Sequence, residues 1–271
     1  MKLILLALTC LMVISFSVTA YPMKIIKLDT NHDGKIDEIV YMKNGNFYKV
    51  LLDTNGDGIM DVCNLYKNGR LIKQMQDTNK DGKMDVAIFF DKKGKIKEEE
   101  IDSNHDGNFD TIDLYKSGKL VEQKRDLNHD GKMDEFIYFD RSGKVRKVEK
   151  DLNFNGKIDY WAYYIGGKIS KIVLDKNHDG RPDMWIFYNR EGRKKEIEVD
   201  KNGDGKPDHW YYYKRGKLSE VDVDTNYDGK VDVKWIYKNG QMVRVERDKN
   251  FDGKMDLLTD VKFNSKKAGK R

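Results

Sequence analysis

The sequence predicts an all-β protein built as a repeat array. Three observations support this prediction: an acidic nine-residue motif recurs, strand-like segments of about five residues follow it, and glycine turns join these to a second strand-like segment. The motif begins at residues 29, 53, 77, 102, 126, 151, 175, 200, 224 and 248. Its period is therefore 24 or 25 residues, which indicates repeats that bury their apolar faces against their neighbours.

An apolar segment precedes the repeats. One lysine, an apolar stretch, and small residues at Val18 and Ala20 predict a secretory signal peptide over residues 1–20. A lipoprotein attached through Cys10 is the alternative. We therefore expect a protein that is secreted, periplasmic or at the cell surface, with a single repeat domain over residues 21–265 and a basic tail over residues 266–271.

Each repeat is predicted to consist of a loop, a strand, a tight turn and a second strand. In the fifth repeat these parts are DLNHDGKMD (126–134), EFIYF (135–139), DRSG (140–143) and KVRKVEK (144–150). The third, fifth and seventh repeats have 25 residues, and their extra residue lies in the hairpin turn. The length of the acidic loop is therefore the constant feature, as expected if its residues act together.

Ten such units predict a long antiparallel meander. An open sheet of about twenty strands twists and coils, so we expect a coiled ribbon or solenoid. A five-bladed β-propeller with two repeats per blade is the alternative. A propeller needs different connections within and between blades, whereas all ten loops here have the same length, which favours the ribbon.

Columns of aromatic residues follow the loops. The second and fourth residues after the loop are mostly apolar or aromatic and share one face of the strand. The fifth residue is aromatic in eight repeats: Tyr66, Phe90, Tyr115, Phe139, Tyr164, Tyr188, Tyr213 and Tyr237. We expect these columns to form a structural ladder of cross-strand aromatic pairs, and a carbohydrate-binding surface is the alternative.

The loops have the consensus D-x-N-x-D-G-x-x-D, in which positions one, three, five and nine carry oxygen atoms and the glycine permits a sharp turn. Such hard oxygen ligands suit Ca²⁺, and the absence of nitrogen and sulfur at these positions disfavours zinc and copper. The predicted ligands are Asp29, Asn31, Asp33, Asp37, Asp53, Asn55, Asp57, Asp61, Asp77, Asn79, Asp81, Asp85, Asp102, Asn104, Asp106, Asp110, Asp126, Asn128, Asp130, Asp134, Asp151, Asn153, Asn155, Asp159, Asp175, Asn177, Asp179, Asp183, Asp200, Asn202, Asp204, Asp208, Asp224, Asn226, Asp228, Asp232, Asp248, Asn250, Asp252 and Asp256.

This motif, followed by a strand, resembles the calcium loops of FG-GAP and VCBS propeller repeats, and less closely those of dockerins and thrombospondin type 3 repeats. It also matches the first nine residues of the calcium loop of an EF-hand. The resemblance implies up to ten Ca²⁺ ions. It does not extend to the intervening hairpins, and position twelve lacks the bidentate glutamate of an EF-hand. Water or a neighbouring repeat would complete the coordination shell.

The sixth loop is predicted to be the weakest site. Asn155 replaces the aspartate at position five, which lowers the ligand charge from −3 to −2. Without a cation, the clustered carboxylates repel one another, so we expect metal binding and folding to be a single event.

The charges outside the loops predict an anionic partner. The loops contain 29 of the 46 acidic residues, which leaves 17 against 51 lysines and arginines. This basic surplus favours lipopolysaccharide, anionic polysaccharide or another cell-surface polyanion. Four of the five histidines lie at position four of a loop, interpreted as a variable outward site, and no catalytic set is apparent. We therefore expect no enzyme but a calcium-stiffened scaffold or adhesin, or alternatively a calcium buffer or sensor.

Overall fold

The structure is a computed structural model in which residues 23–261 are described. The predicted signal peptide, Cys10 and the basic tail lie outside these residues. Twenty strands and no helix occupy the described part of the chain. The strands are β1 (Lys24–Leu28), β2 (Glu38–Lys43), β3 (Asn46–Leu52), β4 (Val62–Lys67), β5 (Arg70–Gln76), β6 (Val86–Phe90), β7 (Ile96–Ile101), β8 (Thr111–Lys116), β9 (Lys119–Arg125), β10 (Glu135–Phe139), β11 (Val145–Lys150), β12 (Tyr160–Ile165), β13 (Lys168–Leu174), β14 (Met184–Tyr188), β15 (Lys194–Val199), β16 (His209–Lys214), β17 (Lys217–Val223), β18 (Val233–Lys238), β19 (Gln241–Arg247) and β20 (Leu257–Asp260).

The described residues form two compact units, which divide within β5 after Gln74. In the first unit, β1 to β4 pair consecutively, and every pairing is antiparallel. In the second unit, consecutive strands pair antiparallel from β6 to β20 without a break. No pairing among the described residues joins β6 to β20, so this sheet is open.

The predicted all-β meander is therefore confirmed. The propeller alternative is wrong for the second unit, because separate blades would interrupt the ladder of hydrogen bonds between strands. Uniform loops of nine residues give every connection between hairpins the same geometry, which leaves no position for a different connection between blades.

The hairpin turns also follow the prediction. Each turn glycine has a positive φ, as at Gly45 (74°) and Gly240 (83°), which L-residues adopt less readily. In the 25-residue repeats the turn begins with Asp91, Asp140 or Asn189, whose side-chain Oδ1 accepts two backbone N–H groups within the turn. This side chain organises the longer turn and leaves the loops unchanged.

The apolar core is thin, and acidic residues outnumber apolar residues among the buried side chains. Nine apolar side chains are buried: Val40, Val50, Cys63, Ala87, Val148, Ala162, Val173, Val221 and Val223. Of 21 buried polar residues, 17 are loop aspartates at positions one and nine. The loops therefore form part of the packed interior of each unit. Cys63 is a free thiol, and burial raises its pKa, as expected for an inert thiol.

The aromatic columns differ from the prediction. The strand that follows a turn lies between two strands that follow loops. Fourth-column aromatic residues therefore pair with charged residues, whereas fifth-column residues pair mostly with aliphatic ones, as Tyr115 does with Leu120. Lys147, for example, lies between Tyr138 and Tyr163, with its Nζ 5.7 Å from each ring centroid. In the fourth column, cation–π contacts, each worth about 0.5–1 kcal/mol when exposed, therefore take the place of the expected cross-strand aromatic pairs.

Candidate functional site

The nine-residue loops share one hydrogen-bonding pattern, which we describe by position from the first aspartate. The glycine N–H at position six donates to Oδ2 of position one in all ten loops, over 2.6–3.0 Å. The N–H of position five donates to Oδ1 of position three over 2.8–3.1 Å. Backbone amides therefore orient the side-chain oxygens of the first half of the loop.

The second half of the loop is fixed in the same way. The N–H of position seven donates to Oδ1 of position five over 2.7–2.9 Å. The N–H of position two donates to a carboxylate oxygen of position nine over 2.6–3.0 Å. The four predicted ligand side chains of each loop thus accept hydrogen bonds from the loop that carries them.

Two positions of each loop have left-handed backbone conformations. Position four has φ between 59° and 79° and accepts histidine, lysine, phenylalanine and tyrosine as well as glycine. Position six has φ between 87° and 97°, farther from the narrow left-handed region open to side chains, and is glycine in all ten loops. The backbone therefore explains why the motif requires glycine at only one of the two positions.

Each loop is buried on one side and open on the other. The carboxylates of positions one and nine are buried in most loops, whereas positions three and five are exposed. In the second loop, for example, Asp53 and Asp61 are 7% and 4% exposed, while Asp57 faces solvent. An ion could therefore enter from the exposed side and reach the buried carboxylates.

Two loops bring three carboxylates together closely enough to hold a metal ion. Ligand atoms of Asp53, Asp57 and Asp61 all lie within 4.8 Å of one another. The same is true of Asp77, Asp81 and Asp85 in the third loop. Among the described residues no other group of three histidine, cysteine or acidic side chains meets this limit. The other predicted ligands lie in the same loop pattern with wider spacing.

A buried carboxylate oxygen without a partner indicates that a loop fits a cation. In the described part of the chain Asp175 Oδ1, at position one of the seventh loop, and Asp222 Oδ1, outside the loops, lack a hydrogen bond. Asp159 Oδ2, at position nine of the sixth loop, lies 2.8 Å from Nδ1 of His178. An unpaired buried carboxylate oxygen is costly, and a bound cation would satisfy it.

Hydrogen bonds lower the pKa of several loop aspartates. Burial raises the pKa of Asp85, but hydrogen bonds from the Thr78 hydroxyl and N–H and from His105 outweigh it and lower the pKa to about 2. The Thr30 hydroxyl and N–H likewise hold the pKa of Asp37 below its usual value. The hydrogen bonds within the loop therefore stabilise the charged carboxylates that a cation requires.

Sequence reasoning missed the hydroxyl at position two of the loop. A threonine there donates its hydroxyl to position nine over 2.7 Å in four loops, and Ser103 makes the equivalent bond to Asp110. The signal was present in the sequence, since five of the ten loops have threonine or serine at this position.

Neighbouring loops contact each other within each unit. The N–H of position one donates to the backbone carbonyl of position nine in the preceding loop, as from Asp102 to Asp85 over 2.8 Å and from Asp175 to Asp159 over 2.9 Å. The histidines at position four are exposed, as the sequence predicts, and three of them also reach the preceding loop. Nδ1 of His105, His129 and His178 lies 3.1, 3.8 and 2.8 Å from a position-nine carboxylate of the preceding loop.

Ion pairs with buried carboxylates also lie outside the loops, among them that of Asp222. Lys234 Nζ donates to Asp222 Oδ2 over 2.8 Å and to Glu220 Oε1 over 3.2 Å. Asp222 is only 4% exposed, and burial raises the pKa of its carboxyl despite this lysine. Trp210 and Lys234 flank Asp222 on the two neighbouring strands, so this pair belongs to the sheet and not to a loop.

Comparisons with known proteins do not place the chain in a family. No protein-family model matches it, and no curated protein matches it. The chain is similar over 44% of its length to a crystal structure of the GtfA/B complex bound to UDP and GlcNAc, at 15% identity, with a TM-score of 0.21 and 21% of that chain covered. It is similar over 79% of its length to a TcdB2-TccC3-Cdc42 structure, at 13% identity, with a TM-score of 0.23 and 13% of that chain covered.

A third similar structure is that of accessory secretory protein 1, 2 and 3 in Streptococcus pneumoniae, at 18% identity and a TM-score of 0.17, with 42% of this chain and 17% of that chain covered. The chain thus spans about a fifth or less of each of these proteins. TM-scores of this size do not establish a shared fold. The described residues contain no helix that could cross a membrane.

The fold and the loops together define a class. The chain is an all-β repeat protein whose acidic loops include two carboxylate clusters that could hold a metal ion. This arrangement is compatible with calcium-binding repeats.

Proposed function

We propose that the ten acidic loops bind Ca²⁺ and that these ions stiffen a secreted scaffold or adhesin. The observation that carries the proposal is the recurrence of one hydrogen-bonding pattern in all ten loops, with oxygen side chains at positions one, three, five and nine. A repeated site of identical geometry is expected of a structural or binding array. A non-enzymatic role is part of the proposal.

The ligand chemistry supports calcium in particular. Ca²⁺ accepts six to eight oxygen ligands in flexible geometry, from carboxylates, amide oxygens, backbone carbonyls and water. Each loop offers four oxygen-bearing side chains, and its exposed side gives water access to the remaining coordination positions. The unpartnered buried oxygen of Asp175 is a ready acceptor for such an ion.

The asparagine amides indicate what a cation would replace. Nδ2 of Asn31 lies 3.3 Å from both Asp33 Oδ2 and Asp37 Oδ1, and equivalent contacts of 3.1–3.3 Å to position five recur in other loops. In each of these long hydrogen bonds the asparagine amide donates to a carboxylate, and in the first loop it bridges two carboxylates that repel each other. A divalent ion neutralises the carboxylates more effectively than an uncharged amide does.

Ion binding would supply stability that the thin core lacks. Two carboxylates about 4 Å apart repel by about 1 kcal/mol in water and about 4 kcal/mol near a protein surface. Binding energy at a site that forms only in the folded chain is folding energy. The backbone bonds between consecutive loops within each unit would pass this stabilisation from one repeat to the next.

Secretion and a cell-surface role complete the proposal. The N-terminal segment supports export, and the basic surplus outside the loops supports contact with anionic polysaccharide, lipopolysaccharide or another polyanion. Calcium is scarce in the cytosol and plentiful outside cells, so the chain would stiffen after export.

The test compares the purified protein in chelator, in millimolar Ca²⁺ and in millimolar Mg²⁺. Native mass spectrometry should show up to ten bound Ca²⁺ ions, and thermal unfolding followed by circular dichroism should shift to a higher Tm with Ca²⁺ than with Mg²⁺. Identical β signals and identical unfolding curves in chelator and Ca²⁺ would refute the proposal. Metal-dependent compaction at micromolar Ca²⁺ without retention on any polyanion would favour a buffer or sensor instead.

A further inference from the structure

We propose that grooves between successive hairpin turns bind an acidic saccharide. Two cavities lie at the turn ends of the strands, away from the acidic loops. The first, of about 410 Å³, is in the first unit between the β2–β3 turn and the end of β4. The second, of about 380 Å³, is in the second unit between the β12–β13 turn and the end of β14. Both volumes are in the range of small-molecule sites.

The two cavities use the same positions of the repeat. Counted from the first aspartate of the loop, each is lined by positions 15, 18, 19 and 20 of one repeat and by positions 14 to 16 of the next. Position 14 supplies a tyrosine in both, Tyr66 and Tyr188, and position 19 supplies Phe47 and Ile169. The groove therefore recurs at the same repeat positions in both units.

Apolar side chains in these grooves are exposed to solvent. In the first groove, Phe47 and Tyr48 are 49% and 47% exposed, and the Phe47 and Tyr66 rings lie 5.8 Å apart at 46°. In the second groove, Ile165 is 76% exposed, more than any other large apolar residue in the described part of the chain. Aromatic rings open to water offer a platform for the C–H face of a sugar ring, which is flat and weakly apolar.

The charge of the grooves favours an acidic ligand. Lys43 and Lys67 line the first groove, and Lys168 and Arg190 line the second. None of these four forms a salt bridge with a described carboxylate, and no acidic side chain lines either groove. The nine hairpin turns contain 17 lysines and arginines against three acidic residues. The turn ends of each unit therefore attract carboxylate or sulfate groups, which a guanidinium binds in bidentate fashion.

The spacing of the repeats fits a polymer of sugars. Each repeat adds two strands, so equivalent positions of adjacent repeats are about 9.6 Å apart. This is close to the length of one disaccharide in an extended chain. A saccharide with one acidic group per disaccharide could thus place successive charges on successive turns, with a sugar face on the tyrosine between them.

This inference deepens the proposed function, because it gives the basic surface a defined site. The probe is a heparin tetrasaccharide, with cellotetraose as the uncharged control and polyphosphate as a polyanion that has no sugar face. The groove variant changes two exposed apolar and two basic residues: Phe47→Ala, Lys67→Gln, Ile165→Ser and Arg190→Gln. The matched control changes the same residue classes at the loops: Phe251→Ala, Lys80→Gln, Leu152→Ser and Lys132→Gln.

Isothermal titration at two salt concentrations should show at least tenfold weaker tetrasaccharide binding by the groove variant and less than threefold weaker binding by the loop control. Cellotetraose should bind at least tenfold more weakly than the tetrasaccharide to the unmodified protein. The proposal would be overturned if the groove variant and the loop control lost equal affinity for the tetrasaccharide. It would also be overturned if polyphosphate bound as tightly as the tetrasaccharide and Phe47→Ala weakened the binding of neither. Either result would mean that charge alone attracts polyanions, nucleic acids included.

Calcium binding is measured on the same samples. The groove variant should retain the Ca²⁺ stoichiometry and the Tm of the unmodified protein, since its four changed positions lie outside the loops. If the protein in millimolar Ca²⁺ binds the saccharide but no Ca²⁺ ion, the calcium proposal alone is refuted. If it binds Ca²⁺ but not the tetrasaccharide, the groove proposal alone is refuted. If the fourfold variant fails to fold, the single substitution Lys67→Glu, which changes one exposed residue, serves instead. It should lower the number of tetrasaccharides bound at saturation by one.

Discussion

A single change at position five of the second loop tests the metal site most directly. Asp57→Asn keeps the hydrogen bond that Asp57 Oδ1 accepts from the Ile59 N–H over 2.7 Å, because the asparagine Oδ1 can accept it equally well. The sixth loop already contains this arrangement, since Asn155 Oδ1 accepts the N–H of Lys157 over 2.8 Å. The substitution therefore removes one negative charge and leaves the loop geometry intact.

The exposure of Asp57 sets the expected magnitude. Because this side chain faces solvent, the dielectric constant of water applies, and two unit charges about 4 Å apart then interact by about 1 kcal/mol. A divalent ion doubles this value to about 2 kcal/mol, which corresponds to a roughly thirtyfold weaker Ca²⁺ affinity at this loop. The stability of the metal-free protein should change by less than about 0.5 kcal/mol, as for other exposed positions.

Native mass spectrometry at graded free Ca²⁺ measures the effect. At a concentration that just saturates the unmodified protein, Asp57→Asn should carry one ion fewer. The reciprocal change, Asn155→Asp, should fill its loop at lower Ca²⁺ than the unmodified protein does. Chemical denaturation in chelator provides the control for the fold. An unchanged affinity in both variants, with the metal-free stability also unchanged, would refute the assignment of position five as a ligand.

Three further predictions concern the fold. Gly58→Ala should lower the free energy of unfolding by about 1–2 kcal/mol in urea denaturation, because φ at Gly58 is +96° and strains any L-residue; an unchanged midpoint would contradict the backbone argument. Lys234→Met should lower the free energy of unfolding by about 1–3 kcal/mol, because it leaves the buried Asp222 carboxyl without its lysine partner, and adding Asp222→Leu should recover most of the loss. The Ser142 hydroxyl holds the pKa of Asp140 below 3.8. The stability that this hydrogen bond provides is therefore present above pH 3.8 and is lost as the pH falls through the lowered pKa. Asp140→Asn should flatten this part of the acid denaturation curve.

Local features of this protein could be predicted from its sequence. The ten loops, the strands between them and the turn glycines depend on contacts within a few residues, as between Gly58 N–H and Asp53. The period of 24 or 25 residues then implied that each hairpin packs on the next. For this reason the predicted meander agrees with the structure of each unit, including the extra turn residue in the longer repeats.

Relations between repeats were decided only by the tertiary structure. The sequence does not show that His178 faces Asp159 of the preceding loop, that Lys147 separates Tyr138 from Tyr163, or that the carboxylates of positions one and nine are buried. These contacts join residues of different strands and depend on which strands are neighbours and in which register. The uniform loop length already favoured the ribbon over the propeller, and the unbroken ladder from β6 to β20 decides between them.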